Sequence, residues 1–559
     1  MITISESDNW EICSSSGMKY GQFVDWEKID PEPAKKYQQI LKSGHQQLKR
    51  MGREGFWAIS HTLRAKAYYH IIHNINSRAV TPNRDVYYDL AKKLFGEQKV
   101  MGTLLPLFLS RYCLNKAGMN SVKKILICLG SYFPDMSYCP ILPALVSLIL
   151  HFSEDEAECF YSVSRLICYK DPNKRYIDQT FLTYRASCMT FGDLANRCCR
   201  GIRKLIASSH QNLFEFYSDW IMWLFADLPF TYAIRVLDVY LLEGFKVLFR
   251  LVATPVYFFK MRFLFWPDYS DVEDFRTDMK RFVQSVARHC TVEKLLERAF
   301  QIPIATRNEL NLLFNANKDA LMQKGVSTHQ KRQTVESVDL NSFSSSVVTE
   351  TEMRVIWAWI PERFALFNPV RLFHIAEDGR DLSSLYKRVE GHEPIVLIIK
   401  TMEEEVFGAF LSMDLMERRN HDSQGLTYFG TGECFVFTLR PSMERYQRAM
   451  VNIMTRIASP QQHRDGSSSA SQLANREVCQ LTKTSGQNIV CCLCDFRVIF
   501  SGGDGGHALC LCDNLEEGNS ELCDTFSSNP LCKGHFQIQS LEVWGIQNSI
   551  YLSRSFHSR

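Results

Sequence analysis

Two pairs of basic residues, and one arginine near a proline, carry the chemistry most legible in this sequence. Lys49 and Arg53 are four residues apart, and so are Lys246 and Arg250. On a helix that spacing puts both members of a pair on one face. Lysine point charges and arginine forks are the groups that bind phosphate. If the two pairs converge, they fit a multiply phosphorylated ligand; if they do not, they are ordinary charges on surface helices. The stretch from Lys35 to Lys66 leans the same way, with eight basic residues and one acidic residue, Glu54. The third feature is Arg78, within "IIHNINSRAVTP" from Ile71 to Pro82. An arginine near a turn can reach another protein's active site and neutralise a transferring phosphoryl group. It can equally be a solvated charge at a helix end.

Cysteines offer a metal alternative. "CCLC" contains Cys491-x-x-Cys494, "CLC" contains Cys510 and Cys512, and His507, Cys523, Cys532 and His535 follow or precede within a short span. Zinc sites use such spacings. The same cysteines alternate along strand-like runs, where they pack as small apolar side chains, and no metal or cofactor is expected. The 19 cysteines are odd in number and include adjacent pairs such as Cys198-Cys199. Reduced thiols of a cytoplasmic protein fit that better than a disulfide scaffold. A net charge of +3 over 559 residues gives no global pull toward nucleic acid, which is not an expected partner. "MITISESDNW" has neither the basic nor the apolar region of a secretory leader. The longest apolar run, "ILPALVSLILHF", is too short for a bilayer span.

The elements that must position these residues fall into two textures. From about Tyr37 to Lys324, runs such as "ILPALVSLILHF" and "AIRVLDVYLLEGFKVLFRLV" repeat apolar residues at helical spacing, which predicts an all-α domain over 37–324 after an N-terminal segment, 1–36. "GVSTHQKRQTVESVDLNSFSSS", 325–346, is polar and Ser-rich and is read as a linker. Over 347–559, "EPIVLIIKT", "VFGAFLSM", "ECFVFTL", "FRVIFSGG" and "HALCLC" predict short strands of an α+β, sandwich-like domain. Residues 458–477 are read as a disordered insertion within it. "FGTG" and "SGGDGG" lack the Gly-Lys-Ser/Thr ending of a phosphate loop, so turns explain their glycines.

Several motifs resemble a known pairing of domains. "HTLRAKAYYHII", "SEDEAECFYSVSRLI" and "AIRVLDVYLLEG" resemble the TBC domain, the helical GTPase-activating domain for Rab-family GTPases; Arg235, Asp238, Glu243 and Gly244 match its "RxWDxxLxEG" pattern. "PERF", "EGHEPIVLIIKT", "VFGAFLS", "FGTGECFVF", "SGGDGGHALCLCDNLEEGNSELCDTFSSNPLC" and "LEVWG" resemble, in order, a TLDc domain; Leu415 stands where that family usually has tryptophan. The combination resembles Skywalker-like proteins. That resemblance implies a peripheral-membrane trafficking regulator at the plasma membrane and cytoplasmic vesicles, engaging a small GTPase of the Rab or a related family. It also implies phosphoinositide headgroup binding by a cationic pocket, for which Lys49, Arg53, Lys246 and Arg250 are the candidates. Two catalytic parts are altered. The family's "IxxDxxR" arginine falls on Ser77, with Arg78 one residue late, and the glutamine of its "YxQ" motif falls on Pro140 in Tyr138-Cys139-Pro140. Weak GTPase activation is therefore expected. The alternative implied by the second domain is a non-enzymatic scaffold that binds the vacuolar proton ATPase or protects against oxidative stress.

Overall fold

The computed structural model describes residues 19–21, 44–59, 61–74, 83–95, 113–169, 175–198, 217, 227–251, 275–302, 306–328, 338, 340, 343–415, 428–429, 433–447, 490–494, 497–501 and 506–546. The chain divides into two compact units, the first ending at Val335 and the second running from Glu336, apart from 203–208, which lie outside the described residues.

The first unit is helical among the described residues. Its helices are α1 (His45–Glu54), α2 (His61–His73), α3 (Arg84–Phe95), α4 (Lys116–Tyr132), α5 (Leu142–Leu150), α6 (Glu156–Cys168), α7 (Phe181–Cys198), α8 (Phe230–Glu243), α9 (Phe275–Gln284), α10 (Val292–Gln301) and α11 (Arg307–Gln323). α5 and α8 are buried on nearly every side, so their sequences carry apolar residues around the whole helix. Polar caps set several starts. Asn115 accepts from the Gly118 amide (2.7 Å) ahead of α4, and Asp155 from the Glu158 amide (2.7 Å) ahead of α6. α1 and α2 both pack on α8, α2 also meets α6, and α7 packs along α11. Among the described residues, no helix is long and apolar enough to cross a membrane.

The second unit is the expected α+β arrangement. Its strands are β1 (Pro369–His374), β2 (Ile395–Thr401), β3 (Val406–Leu411), β4 (Tyr428–Phe429), β5 (Phe435–Arg440), β6 (Glu444–Tyr446), β7 (Val490–Cys494), β8 (Arg497–Ser501), β9 (Leu509–Cys512), β10 (Glu517–Asn519) and β11 (His535–Ile546). They join antiparallel in the order β4-β7-β8-β9-β10-β11-β2-β3-β5-β6, with β1 also on β11, in one curled sheet. The twelve-residue β11 is the junction. Its first half alternates buried and exposed residues, and its second half, between β1 and β2, is continuously buried. Leu385 and Val389 of α13 (Leu382–Val389), which follows α12 (Glu350–Trp359), join Leu397, Phe407, Val436, Leu511 and Val543 in the core. Leu415 is buried in the same core, so the smaller residue still fills an apolar position. Cys434, Cys523 and Cys532 are free thiols packed in this core.

The last four residues of the expected linker belong to this packing. The Phe343 ring lies 4.9 Å from that of Trp544. Glu542, fully buried on β11, accepts from Ser345 Oγ (2.6 Å), the Ser346 amide (2.9 Å), Ser346 Oγ (3.0 Å) and Trp544 Nε1 (3.0 Å). A serine run that reads as linker by composition is here a set of donors to a buried carboxylate. Glu542→Ala should cost the second unit about 1–3 kcal/mol, because those donors lose their acceptor. Thermal unfolding of the full chain checks this; an unchanged second-unit transition would show that water replaces the carboxylate. Residues 458–477 lie outside the described residues.

Candidate functional site

The site is built where α1, α8 and the start of α11 meet α10. A buried hub holds α1, α2 and α8 together. Asp238 of α8 is 0% exposed and takes a bidentate pair from Arg64 of α2 (Nε–Oδ1 2.9 Å, Nη2–Oδ2 3.0 Å). Tyr68 donates to Oδ1 (2.7 Å) and Arg235 to Oδ2 (2.8 Å). Burial, then the Asp238 charge, pushes the Tyr68 hydroxyl well above the usual phenol range, so it stays a donor. Arg235 reaches onward to the carbonyls of Gly52 (3.1 Å) and Arg53 (3.2 Å) in the last turn of α1. Arg64 is therefore a structural ion-pair partner, and the hub fixes the helix end that carries Arg53.

Two glycines stop the helices on either side. Gly55 ends α1 at φ +79° and Gly244 ends α8 at φ +75°, backbone conformations that favour glycine. After Gly244 the chain enters a new helical stretch at 246, which carries Lys246 and Arg250. α11 starts with a capping box. Thr306 Oγ1 accepts from the Glu309 amide (3.3 Å), and the Glu309 carboxylate accepts from the Thr306 amide (2.6 Å). This places Arg307 at the first position of the helix.

The two sequence pairs converge. The Phe300 ring, in the last turn of α10, lies 4.1 Å from Arg53 Cζ and 5.6 Å from Arg250 Cζ. Arg250 Nη1 also donates to the carbonyls of Phe300 (3.3 Å) and Ile302 (3.1 Å). Arg53 Nε donates to Glu243 Oε1 at 2.5 Å. Burial, and then Arg307, lowers the Lys49 ammonium below the ordinary lysine range, with Arg53 contributing. Burial, then Arg250 and Arg307, lowers Lys246 in the same way. Both lysines thus feel a cation that sequence reasoning had not included. Arg307 carried a local signal, since "TRNE" is a capping-box pattern that puts arginine at a helix start, but its neighbours are set only by packing. The side chains of Lys49, Lys246 and Arg307 have no hydrogen bond or ion pair among the described residues. Arg53, Lys49 and Lys246 share Glu243 as a nearby carboxylate, and Glu309, engaged in its cap, also acts on Lys246. Arg50, on the adjoining face of α1, is instead paired with Glu54 (2.8 Å).

The catalytic positions read differently. Arg78 lies outside the described residues. Pro140 stands in the turn just ahead of α5. The Tyr138 amide donates to the Gln179 carbonyl (3.2 Å), and the Gln179 side-chain amide donates to Ile167 O (2.9 Å). Gln179 thus bonds to the loop ahead of α5 through its carbonyl and to the end of α6 through its side chain. In the second unit, Glu433 is paired with Arg363 through both carboxylate oxygens. His374 stands beside Ser346 (Nε2–Oγ 2.9 Å) near Glu542, which resembles a nucleophile grouping. However, His374 Nδ1 accepts from the Ala376 amide (3.2 Å). The neutral ring then carries its proton on Nε2, the wrong tautomer for a base toward serine. These carboxylates hold the fold together.

Comparison with known proteins agrees with this division. The Rab-GTPase-TBC domain model matches residues 61–264 and the TLDc domain model matches residues 341–547. The chain is 43% identical over 559 residues to TBC1 domain family member 24 of Xenopus laevis, covering 95% of this chain and 98% of that protein. It is 27% identical over 562 residues to GTPase-activating protein skywalker of Drosophila melanogaster, covering 91% of this chain and 89% of that one. Among solved structures, the TBC domain of Skywalker/TBC1D24 from Drosophila melanogaster in complex with inositol(1,4,5)triphosphate matches 50% of this chain and 98% of that chain at 24% identity, with a TM-score of 0.44.

Proposed function

Because this chain belongs to the TBC-plus-TLDc family of Rab-GAP-like vesicle-trafficking regulators, we propose that its helical unit binds phosphoinositide headgroups through Lys49, Arg53, Lys246, Arg250 and Arg307. One observation carries this reading. Cations almost two hundred residues apart in sequence meet around the Phe300 ring, and three of the five have no partner among the described residues. Gathering like charges is unfavourable by itself, and a polyanion relieves that repulsion. Each phosphate placed here meets charge-assisted donors. A peripheral place on the plasma membrane and cytoplasmic vesicles follows. The family's small-GTPase partner is engaged by the same unit, with little acceleration of GTP hydrolysis. The second unit works as a binding module, with the vacuolar proton ATPase as the partner to test by co-purification.

The test is sedimentation of the full chain with liposomes that contain or lack phosphatidylinositol bisphosphate. Lys49→Glu and Lys246→Glu, at side chains with no hydrogen bond or ion pair among the described residues, should each weaken binding about tenfold or more, given about 1.5–3 kcal/mol for a hydrogen bond to a charged group. Melting should barely move. Arg250→Glu should also lower stability, since Arg250 ties down the carbonyls that end α10. Lys387→Glu, on α13, makes the same charge change elsewhere and should do little. Equal losses at all sites would mean that only net charge matters and would remove the site. Binding should fall as salt rises.

A further inference from the structure

We infer that Phe300 is the specificity-determining residue of the cation cluster, an uncharged ring that fixes Arg53 and Arg250 relative to each other; the inference rests on the headgroup reading above. Arg53 is held on two sides. Glu243 takes its Nε–H at 2.5 Å, and Phe300 lies against its guanidinium with the ring centroid 4.1 Å from Cζ. Its terminal nitrogens have no hydrogen-bond partner among the described residues, and they form the edge that meets phosphate in a two-point contact. Arg250 is held by the same residue twice, through the ring at 5.6 Å and through the Phe300 carbonyl at 3.3 Å. Phe300 itself is half-buried.

The physical difference is between loose and fixed cations. Arginine side chains have many rotamers, so free ones swing to wherever a ligand's charge lies and report only its total charge. A guanidinium stacked on an aromatic face keeps its full charge but loses that freedom before the ligand arrives. Two guanidiniums held against one ring, at 4.1 and 5.6 Å, then present a set spacing, and a ligand whose phosphates miss it makes fewer of the paired contacts. Lys49, Lys246 and Arg307, which stack on nothing in the described residues, supply attraction without that constraint. Phe300 therefore governs which arrangement of phosphates binds, more than how strongly polyanions are drawn in.

The test is calorimetric titration of the full chain with inositol 1,4,5-trisphosphate and inositol 1,3,5-trisphosphate, which have equal charge and different phosphate positions. The wild type should discriminate between them. Phe300→Leu, which keeps apolar bulk but removes the aromatic face, should weaken the preferred isomer about three- to tenfold, in line with two lost cation–π contacts. The other isomer should change by less than about twofold, so the ratio moves toward one. Phe300→Tyr keeps the ring and should keep the ratio. Should Phe300→Leu fail to fold, Arg53→Lys retains the charge without the stacked plane and should shift the ratio the same way. Equal weakening of both isomers, or a wild type that does not discriminate, overturns the role of Phe300 and leaves the headgroup site intact. If the wild type binds neither isomer, the headgroup reading fails and takes this inference with it.

Discussion

Asp238→Ala is expected to lower the stability of the helical unit by about 3–5 kcal/mol, the cost of stripping one partner from a buried ion pair. Asp238 has no exposed surface, and Arg64 is 2% exposed. Removing the carboxylate leaves Arg64 and Arg235 buried without an anion and Tyr68 without an acceptor for its proton other than Ile234 O (3.1 Å). Water reaches none of these positions readily. Urea unfolding, followed through the helical signal, should show an earlier first transition, with the second unit's transition unmoved. The same substitution should weaken headgroup binding, because Arg235 holds the last turn of α1 through the carbonyls of Gly52 and Arg53. A loss below about 1 kcal/mol, the range of a solvated surface pair, would show that the hub is hydrated and does not anchor α1. Replacing Asp238, Arg64 and Arg235 together by apolar residues of similar size should cost less than Asp238→Ala alone, since no buried charge would be left unpaired.

The hub also shows where sequence reading reaches and where it stops. The family spacing made Arg235, Asp238, Glu243 and Gly244 visible as a set. Helical periodicity located α5 and α8, and short apolar runs, mostly of β-branched and aromatic residues, located β2, β3, β5, β8 and β9, because local patterns report burial. The three-residue β10 and the two-residue β4 have too few residues to display a period. Both cationic pairs were visible as pairs, since their spacing is local. Their convergence was not, because it depends on Phe300 and on the Arg53–Glu243 contact across 190 positions. Arg307 had no place in the sequence reading, because its capping-box context marks a helix start and does not report its neighbours. Phe343–Ser346 read as linker because serine composition is the same whether the hydroxyls face water or a buried carboxylate such as Glu542.

GTP hydrolysis by a Rab-family partner should be stimulated less than about tenfold by this chain, against the 10³–10⁵ that an arginine supplied in trans contributes. Two groups normally do that work, a cation that meets charge growing on the phosphoryl oxygens and a glutamine that orients the attacking water. Where the resemblance to the family's motif puts the glutamine, Pro140 has no amide and no donor. Gln179, whose carbonyl bonds to Tyr138, has its side chain engaged with Ile167. Where the same resemblance puts the arginine stands Ser77, with Arg78 one residue late, which on a helix would be a turn of about 100°. Arg64, on α2 just ahead of this stretch, is locked on Asp238 and cannot extend to a partner. Single-turnover hydrolysis across a panel of small GTPases measures the outcome. Residual stimulation should vanish in Arg78→Ala. Pro140→Gln alone should recover little, because orienting water does not replace the missing cation. The paired change Ser77→Arg with Pro140→Gln should give the largest gain, as it restores both groups in register. Strong stimulation by the unaltered chain that survives Arg78→Ala would overturn both the register and the assignment of Pro140. It would require a cation from another segment, and Arg84→Ala, at the arginine that opens α3 and pairs with Glu158 (2.7 Å), would be the first replacement made to locate it.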